Sequence, residues 1–148
     1  MSGIEVRPLQ PEDKDAWLEL WQGYLTFYEQ ELASEVTENL FARLLSQKGH
    51  RALVAVCDGV PVGLVHYLFH DSSWSTRCVC YLEDLYVSED LRLSGAGRKL
   101  IEAVYAAADA EPTANGEVYW QTRQDNARAR LLYERVGVLS DFIRYDRP

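Results

Sequence analysis

The chain has 148 residues, 47% hydrophobic and 26% charged, and its 23 acidic against 15 basic side chains give a formal charge of −8. This length suits one domain, residues 1–148, burying about two-thirds of its unfolded surface, and the acidic balance argues against nucleic acid as a partner while favouring cationic ones such as amines. No apolar run approaches the roughly 20 residues that span a bilayer, and the start, Met-Ser-Gly-Ile-Glu-Val-Arg-Pro, lacks the basic and apolar regions of a signal peptide, so no membrane partner is expected.

In chain order, Ile4 to Pro8 alternates and stops at proline, predicting a first strand. Pro11-Glu-Asp-Lys-Asp opens a helix with an acidic first turn, where negative charge meets the positive helix end. Trp17, Trp21, Tyr24 and Tyr28 follow at spacings of four, three and four, so they share one face if the helix extends that far. Trp17 and Trp21 are read as core, and Tyr24, Phe27 and Tyr28 as the wall of a pocket. Glu29 to Ser34 reads as a polar connection, and Thr37 with Glu38 begins a second helix through Phe41, Leu44 and Leu45 to about Gln47.

Arg51–Cys57 and Val60–Phe69 are strands around Asp58-Gly59, a strong hairpin signal. The second pairs naturally with residues 79–87, across a polar loop containing Asp71, Ser72 and Trp74. Cys57, Cys78 and Cys80 are an odd number without metal-ligand spacing; they read as small core or edge residues of a cytoplasmic protein. His50, His66 and His70 form no metal motif, so no metal is expected.

Residues 79–110 organise the rest. Val79-Cys-Tyr-Leu-Glu-Asp-Leu-Tyr-Val87 alternates as a strand should, while Leu100, Val104, Ala107 and Ala108 recur at helical spacing. Between them Arg92-Leu93-Ser94-Gly95-Ala96-Gly97-Arg98 turns the chain and leaves the backbone bare enough for a ligand to approach. The first N–H groups of the helix lack partners within it and, with Arg92 and Arg98 beside them, suit a pyrophosphate. No Gly-Lys-Ser/Thr follows, which excludes a Walker loop, and a dinucleotide fingerprint needs three glycines at another spacing. After a turn at Pro112 to Gly116, Val118 to Thr122 reads as a strand. Asn126 to Gly137 reads as a short capped helix whose about two turns put Asn126 and Tyr133 on one face. A last strand is expected near Ser140 to Tyr145.

The Arg-x-x-Gly-x-Gly loop and the later Asn126-x-x-Ala-x-x-x-Tyr133 pattern resemble the GNAT N-acetyltransferases. Tyr81-Leu-Glu-Asp-Leu-Tyr-Val87 and Val118-Tyr-Trp-Gln-Thr are similar to the branch containing the yeast histone and D-amino-acid acetyltransferases, and more distantly to the spermidine/spermine acetyltransferases. One departure is Val138, where the family often has an aromatic residue. The resemblance implies an α/β (α+β) fold, a mixed, mostly antiparallel sheet of six to seven strands with about four helices, wedged open where the fourth and fifth strands diverge. It also implies acetyl-coenzyme A as co-substrate, held by the backbone of Leu85, Tyr86 and Val87, the loop from Arg92 to Arg98, Asn126 and Tyr133. In such enzymes the link between the first two helices lines the acceptor site, so Glu29 and Glu31 are possible amine contacts.

Acetyl transfer to an amine needs a group to take the ammonium proton and one to protonate the departing thiolate. Glu83, a carboxylate in an otherwise apolar strand, is the leading base, since burying it without a task is costly. Asp84 points to the opposite strand face unless a bulge intervenes; the resemblance places both acids in the acceptor site. A phenol with a pKa near 10 stays protonated at neutral pH, which makes Tyr133 the leading acid. No cysteine lies in either motif, so direct attack in a ternary complex is expected. The acceptor reads as a small-molecule amine such as a polyamine or amino acid; a protein lysine or N-terminal acetyltransferase and a non-catalytic coenzyme A sensor stand as alternatives. The aromatic tail Phe142-Ile-Arg-Tyr145 and resemblance to oligomeric relatives suggest a homodimer.

Overall fold

A computed structural model describes residues 3–92 and 94–148. Five strands form one sheet in the order β1 (Glu5–Pro8), β2 (Arg51–Cys57), β3 (Val60–His70), β4 (Cys78–Val87) and β5 (Ala114–Tyr119). The first four pair antiparallel, and β5 lies parallel to β4. The β2–β3 hairpin closes through Asp58 and Gly59, both at positive φ (52° and 78°), the conformation that tight hairpin turns require.

Helices cover both faces. α1 (Lys14–Phe27) and α2 (Ser34–Ser46) bury Trp17, Trp21, Leu40, Phe41 and Leu44 against Val54 and Leu64. On the other face α3 (Ala96–Ala110) buries Leu100, Ile101 and Val104 against Val65, Cys80 and Leu82. Successive strand residues point to opposite faces, so β3 serves both clusters: Leu64 lies in the first and Val65 in the second. α4 (Ala127–Val136) is tied to α3 by the Tyr105 hydroxyl, which donates to the Val136 carbonyl at 2.6 Å.

Three sequence expectations are corrected. β5 runs Ala114–Tyr119 rather than from Val118 to Thr122, because Trp120 leaves the sheet to pack edge-on against Tyr133, 5.6 Å away. A Cβ on Gly137 would come within 2.9 Å of that indole, so the glycine that ends α4 admits a ring rather than a left-handed turn. α2 begins at Ser34, three residues before Thr37. No strand forms near Ser140 to Tyr145, and the sheet has five described strands, not six or seven. The end of the chain takes no regular secondary structure, with Val138, Leu139, Phe142, Ile143 and Tyr145 exposed.

Candidate active site

The site forms where β4 and β5 part. Their register runs Cys78 to Ala114, Cys80 to Val118 and Tyr81 to Tyr119; beyond Tyr81, among the described residues, no strand pairs with that edge of β4. Leu85, Tyr86 and Val87 lie on the unpaired stretch. The backbone groups of such an edge are free to pair with an extended ligand.

At the end of this edge the chain turns into α3 through Gly95, whose φ of 88° and open surroundings suit a residue without a side chain. Ser94 Oγ accepts from the Ala96 N–H at 3.3 Å, leaving Gly97 and Arg98 as the next donors at the helix start. A Cβ at Gly97 would lie 3.2 Å from Leu132 of α4, so the glycine lets the two helices close on each other. Arg98 is half-exposed and pairs with Glu102 at 3.5 Å. Arg92 donates to the Val87 carbonyl at 3.4 Å and lies over the rings of Tyr86 and Phe27, 5.5 and 5.9 Å from their centroids. Leu93, also expected in this loop, lies outside the described residues.

The predicted acids are brought together by a bulge. His66 pairs with Asp84 but Tyr67 pairs with Leu82, so Glu83 is the extra residue. An extra residue shifts the alternation of everything after it: Leu82 stays in the α3 cluster, whereas Asp84 turns toward α1. The condition under which Asp84 joins Glu83 is therefore met. Asp84 is buried and accepts from the Tyr24 hydroxyl at 2.6 Å, and its second oxygen lies 3.0 Å from His66 Nδ1. Glu83 is more exposed and lies 2.9 Å from His50 Nε2. One atom each of His50, Glu83 and Asp84 fall within 4.8 Å of one another, a cluster fit for a cation.

An aromatic ladder leads from the core to this cluster. Trp17 stacks on Trp21 at 6.0 Å, Trp21 on Tyr24 at 4.9 Å, and Tyr24 meets Tyr28 at 4.9 Å. Trp17 and Trp21 are core, as read from the spacing, while Tyr28 is half-buried and Phe27 exposed. Burial first, and then the Asp84 charge, drive the Tyr24 phenol well above its ordinary pKa, so it remains a donor. Arg123, in the loop after β5, lies over the Tyr28 ring at 5.4 Å and donates to the Tyr28 carbonyl at 3.5 Å, tying that loop to the end of α1. Glu29 and Glu31 are exposed and join none of this.

Tyr133 projects from α4 toward Tyr28. Burial, with Tyr28 beside it, pushes its pKa up to about 12. Among the described residues its hydroxyl takes no protein hydrogen-bond partner. Asn126 stands at the helix start but donates to Thr122 Oγ1 at 3.0 Å instead of capping α4. His66 and His50 were missed as site residues. His66 could have been found, since a polar side chain within Leu64-Val65-His66-Tyr67 must have partners if buried; nothing near His50 marks it.

A mixed sheet splayed beside a glycine turn, with paired acids on one side and a phenol on the other, defines an acyl-transfer scaffold. The pattern of the acetyltransferase (GNAT) family matches residues 14–138, and the chain belongs to that family as an N-acetyltransferase. Over 147 residues it is 41% identical to the D-amino-acid N-acetyltransferase HPA3 of Saccharomyces cerevisiae, covering 97% of this chain and 90% of that one. It is 28% identical over 146 residues to the N-acetyltransferase YhfO of Bacillus subtilis, covering 96% and 95%. In fold it is similar to the aminoglycoside N-acetyltransferase AAC(6')-Iy in complex with CoA, with a TM-score of 0.84 at 17% identity over 100% of this chain and 96% of that one.

Proposed function

We propose that this N-acetyltransferase acts as one domain, residues 1–148, and acetylates the primary amine of a small molecule, using acetyl-coenzyme A by direct attack in a ternary complex. The observation that carries the reading is the meeting, at the point where β4 leaves β5, of an open strand edge, two adjacent carboxylates and a buried phenol with no hydrogen-bond partner among the described residues. The small acceptor is supported by the D-amino-acid activity in the yeast relative's name and by the aminoglycoside activity in that of the structural neighbour.

The residues present fit the coenzyme. The edge at Leu85, Tyr86 and Val87 offers strand-type hydrogen bonds to its arm. The N–H groups at the start of α3, with Arg92, Ser94, Gly95, Ala96, Gly97 and Arg98, are the groups we assign to its pyrophosphate. Asn126 is available to the arm. When bound, the coenzyme supplies a thioester acyl group.

Tyr24, Phe27 and Tyr28 wall the acceptor side, and Asp84 draws in the ammonium. Glu83 takes the proton, freeing the nitrogen lone pair. The neutral nitrogen would then bond to the acyl carbon as the carbon–sulfur bond breaks; Tyr133 would give its proton to the departing sulfur, and the second proton, shed by the nitrogen as the amide forms, would restore the phenol. An alkyl amine near pKa 10 is mostly protonated at neutral pH, which is why a base is needed. No metal enters this scheme.

We place the enzyme in the cytoplasm, a reading supported by its three free cysteines; no described helix is long and apolar enough to cross a membrane. We also propose a homodimer, supported by the apolar tail, which lies exposed among the described residues. A panel of small amines, amino acids and peptides, read by release of free coenzyme A, tests the acceptor class. Turnover of small amines is expected; turnover of peptides alone overturns the small-molecule reading.

A further inference from the structure

Behind Asp84 runs a buried relay that the acetyl-transfer scheme does not use. Trp17 Nε1 lies 3.1 Å from His66 Nε2, and His66 Nδ1 lies 3.0 Å from Asp84 Oδ2, with His66 fully buried. An indole nitrogen can only donate. His66 Nε2 must therefore accept, so the ring's proton sits on Nδ1 and is donated to Asp84. Both contacts demand the same tautomer: a donor faces the carboxylate and a lone pair faces the indole. Glu83 has a similar arrangement. Arg43 Nη1, another obligate donor, lies 3.5 Å from His50 Nδ1, and His50 Nε2 faces Glu83 at 2.9 Å.

We propose that His66, fixed by Trp17 as the Nδ1–H tautomer, is a positioning residue that aims the Asp84 carboxylate at the acceptor's ammonium. This rests on the acetyltransferase reading for the identity of the cation. The tautomer itself rests only on the hydrogen-bond geometry.

Two consequences follow from this arrangement. As a single-proton donor, His66 orients Asp84 without placing a cation beside it. Tyr24 orients the other oxygen and is likewise uncharged. Among the described residues the Asp84 carboxylate thus has two neutral hydrogen-bond donors and no lysine or arginine partner. A buried carboxylate held in this way is preorganised for an external cation, because its direction is set before the ligand arrives. The relay also links acceptor binding to the core, since Trp17 stacks on Trp21 and meets the Phe41 ring at a tilt.

A long-range proton–nitrogen NMR spectrum of the wild-type protein with labelled histidine tests the tautomer directly. The proton of His66 is expected on Nδ1 at neutral pH; a proton on Nε2, or on both nitrogens, overturns the proposal. Steady-state kinetics with His66→Asn and His66→Gln test the role. The Asn amide nitrogen falls near Nδ1 and keeps a donor for Asp84, whereas the Gln amide falls near Nε2 and does not. His66→Gln should raise the acceptor KM by roughly tenfold with little change in the acetyl-coenzyme A KM, and His66→Asn should restore much of the loss. Equal acceptor KM values in the two variants overturn the positioning role. If the wild type releases no coenzyme A with any amine, the acetyltransferase reading and the role of Asp84 fail together, while the NMR result still decides the tautomer.

Discussion

The Tyr24 hydroxyl donates to Asp84 Oδ1 at 2.6 Å, joining the last turn of α1 to the bulge in β4 across 60 residues of sequence. The contact exists because the bulge at Glu83 turns Asp84 toward α1. Tyr24→Phe keeps the ring stack and removes the donor. Acceptor KM should rise by roughly 3- to 10-fold and Tm should fall by about 2–4 °C. An unchanged KM for the best acceptor would remove Asp84 from the ammonium site.

Tyr133→Phe should lower kcat by roughly 10²- to 10⁴-fold at nearly unchanged acetyl-coenzyme A affinity. The pH dependence follows from burial. With its pKa raised to about 12, the phenol keeps its proton throughout the neutral and mildly alkaline range. Loss of the acid therefore cannot produce a falling rate below about pH 11, and kcat should stay level or rise from pH 7 to 9.5 as free amine increases. A wild-type rate in Tyr133→Phe would transfer the acid role to water or another group.

Arg98→Ala probes the coenzyme site without disturbing the backbone. Its half-exposed pair with Glu102 is a surface contact of little worth to the fold. Affinity for acetyl-coenzyme A should weaken about tenfold by calorimetry, with the difference shrinking as salt is added. Gly95→Val is a poorer probe, because φ at Gly95 is 88° and a β-branched residue there strains the chain whatever binds. Equal affinities at low salt would place the pyrophosphate elsewhere.

Arg7 and Asp13 form a two-pronged contact at 2.7 and 2.9 Å that ties β1 to the start of α1. The Arg7 hydrogen bond, partly opposed by burial, holds the Asp13 carboxyl below its usual range. A depressed carboxyl stabilises the fold above its unfolded pKa of about 3.9 and loses that contribution as pH falls through the lower folded value. Asp13→Asn should cost roughly 1.5–3 kcal/mol at pH 7, and the cost should vanish in strong acid. Denaturant titrations at pH 7 and in strong acid, below the depressed folded value, check both statements.

The exposed tail gives a test of assembly. Light scattering at micromolar concentration should give a dimer mass, and Phe142→Asp with Ile143→Asp should give a monomer, since both side chains lie exposed near the end of the chain. A monomer mass for the wild type would end the homodimer proposal.

Much of this architecture was legible because local rules act over a few residues. The alternation of β2, β3 and β4, the Asp58-Gly59 turn, the aromatic face of α1 and the glycine turn into α3 each follow from neighbours in sequence, and the structure places all four where the spacing put them. The helix carrying Tyr133 was legible for the same reason, through the seven-residue offset from Asn126. What depended on distant partners was not. The bulge at Glu83 appears only when β3 and β4 are aligned, and it alone decides that Asp84 shares a face with Tyr24. Trp120 leaves β5 because α4 brings Tyr133 and Gly137 against it, and His66 gains its role from Trp17, 49 residues away. Sequence periodicity determines which way a side chain faces within its own element, whereas the partner it meets there depends on packing between elements, and the site's carboxylates, histidines and rings are all set by that second step.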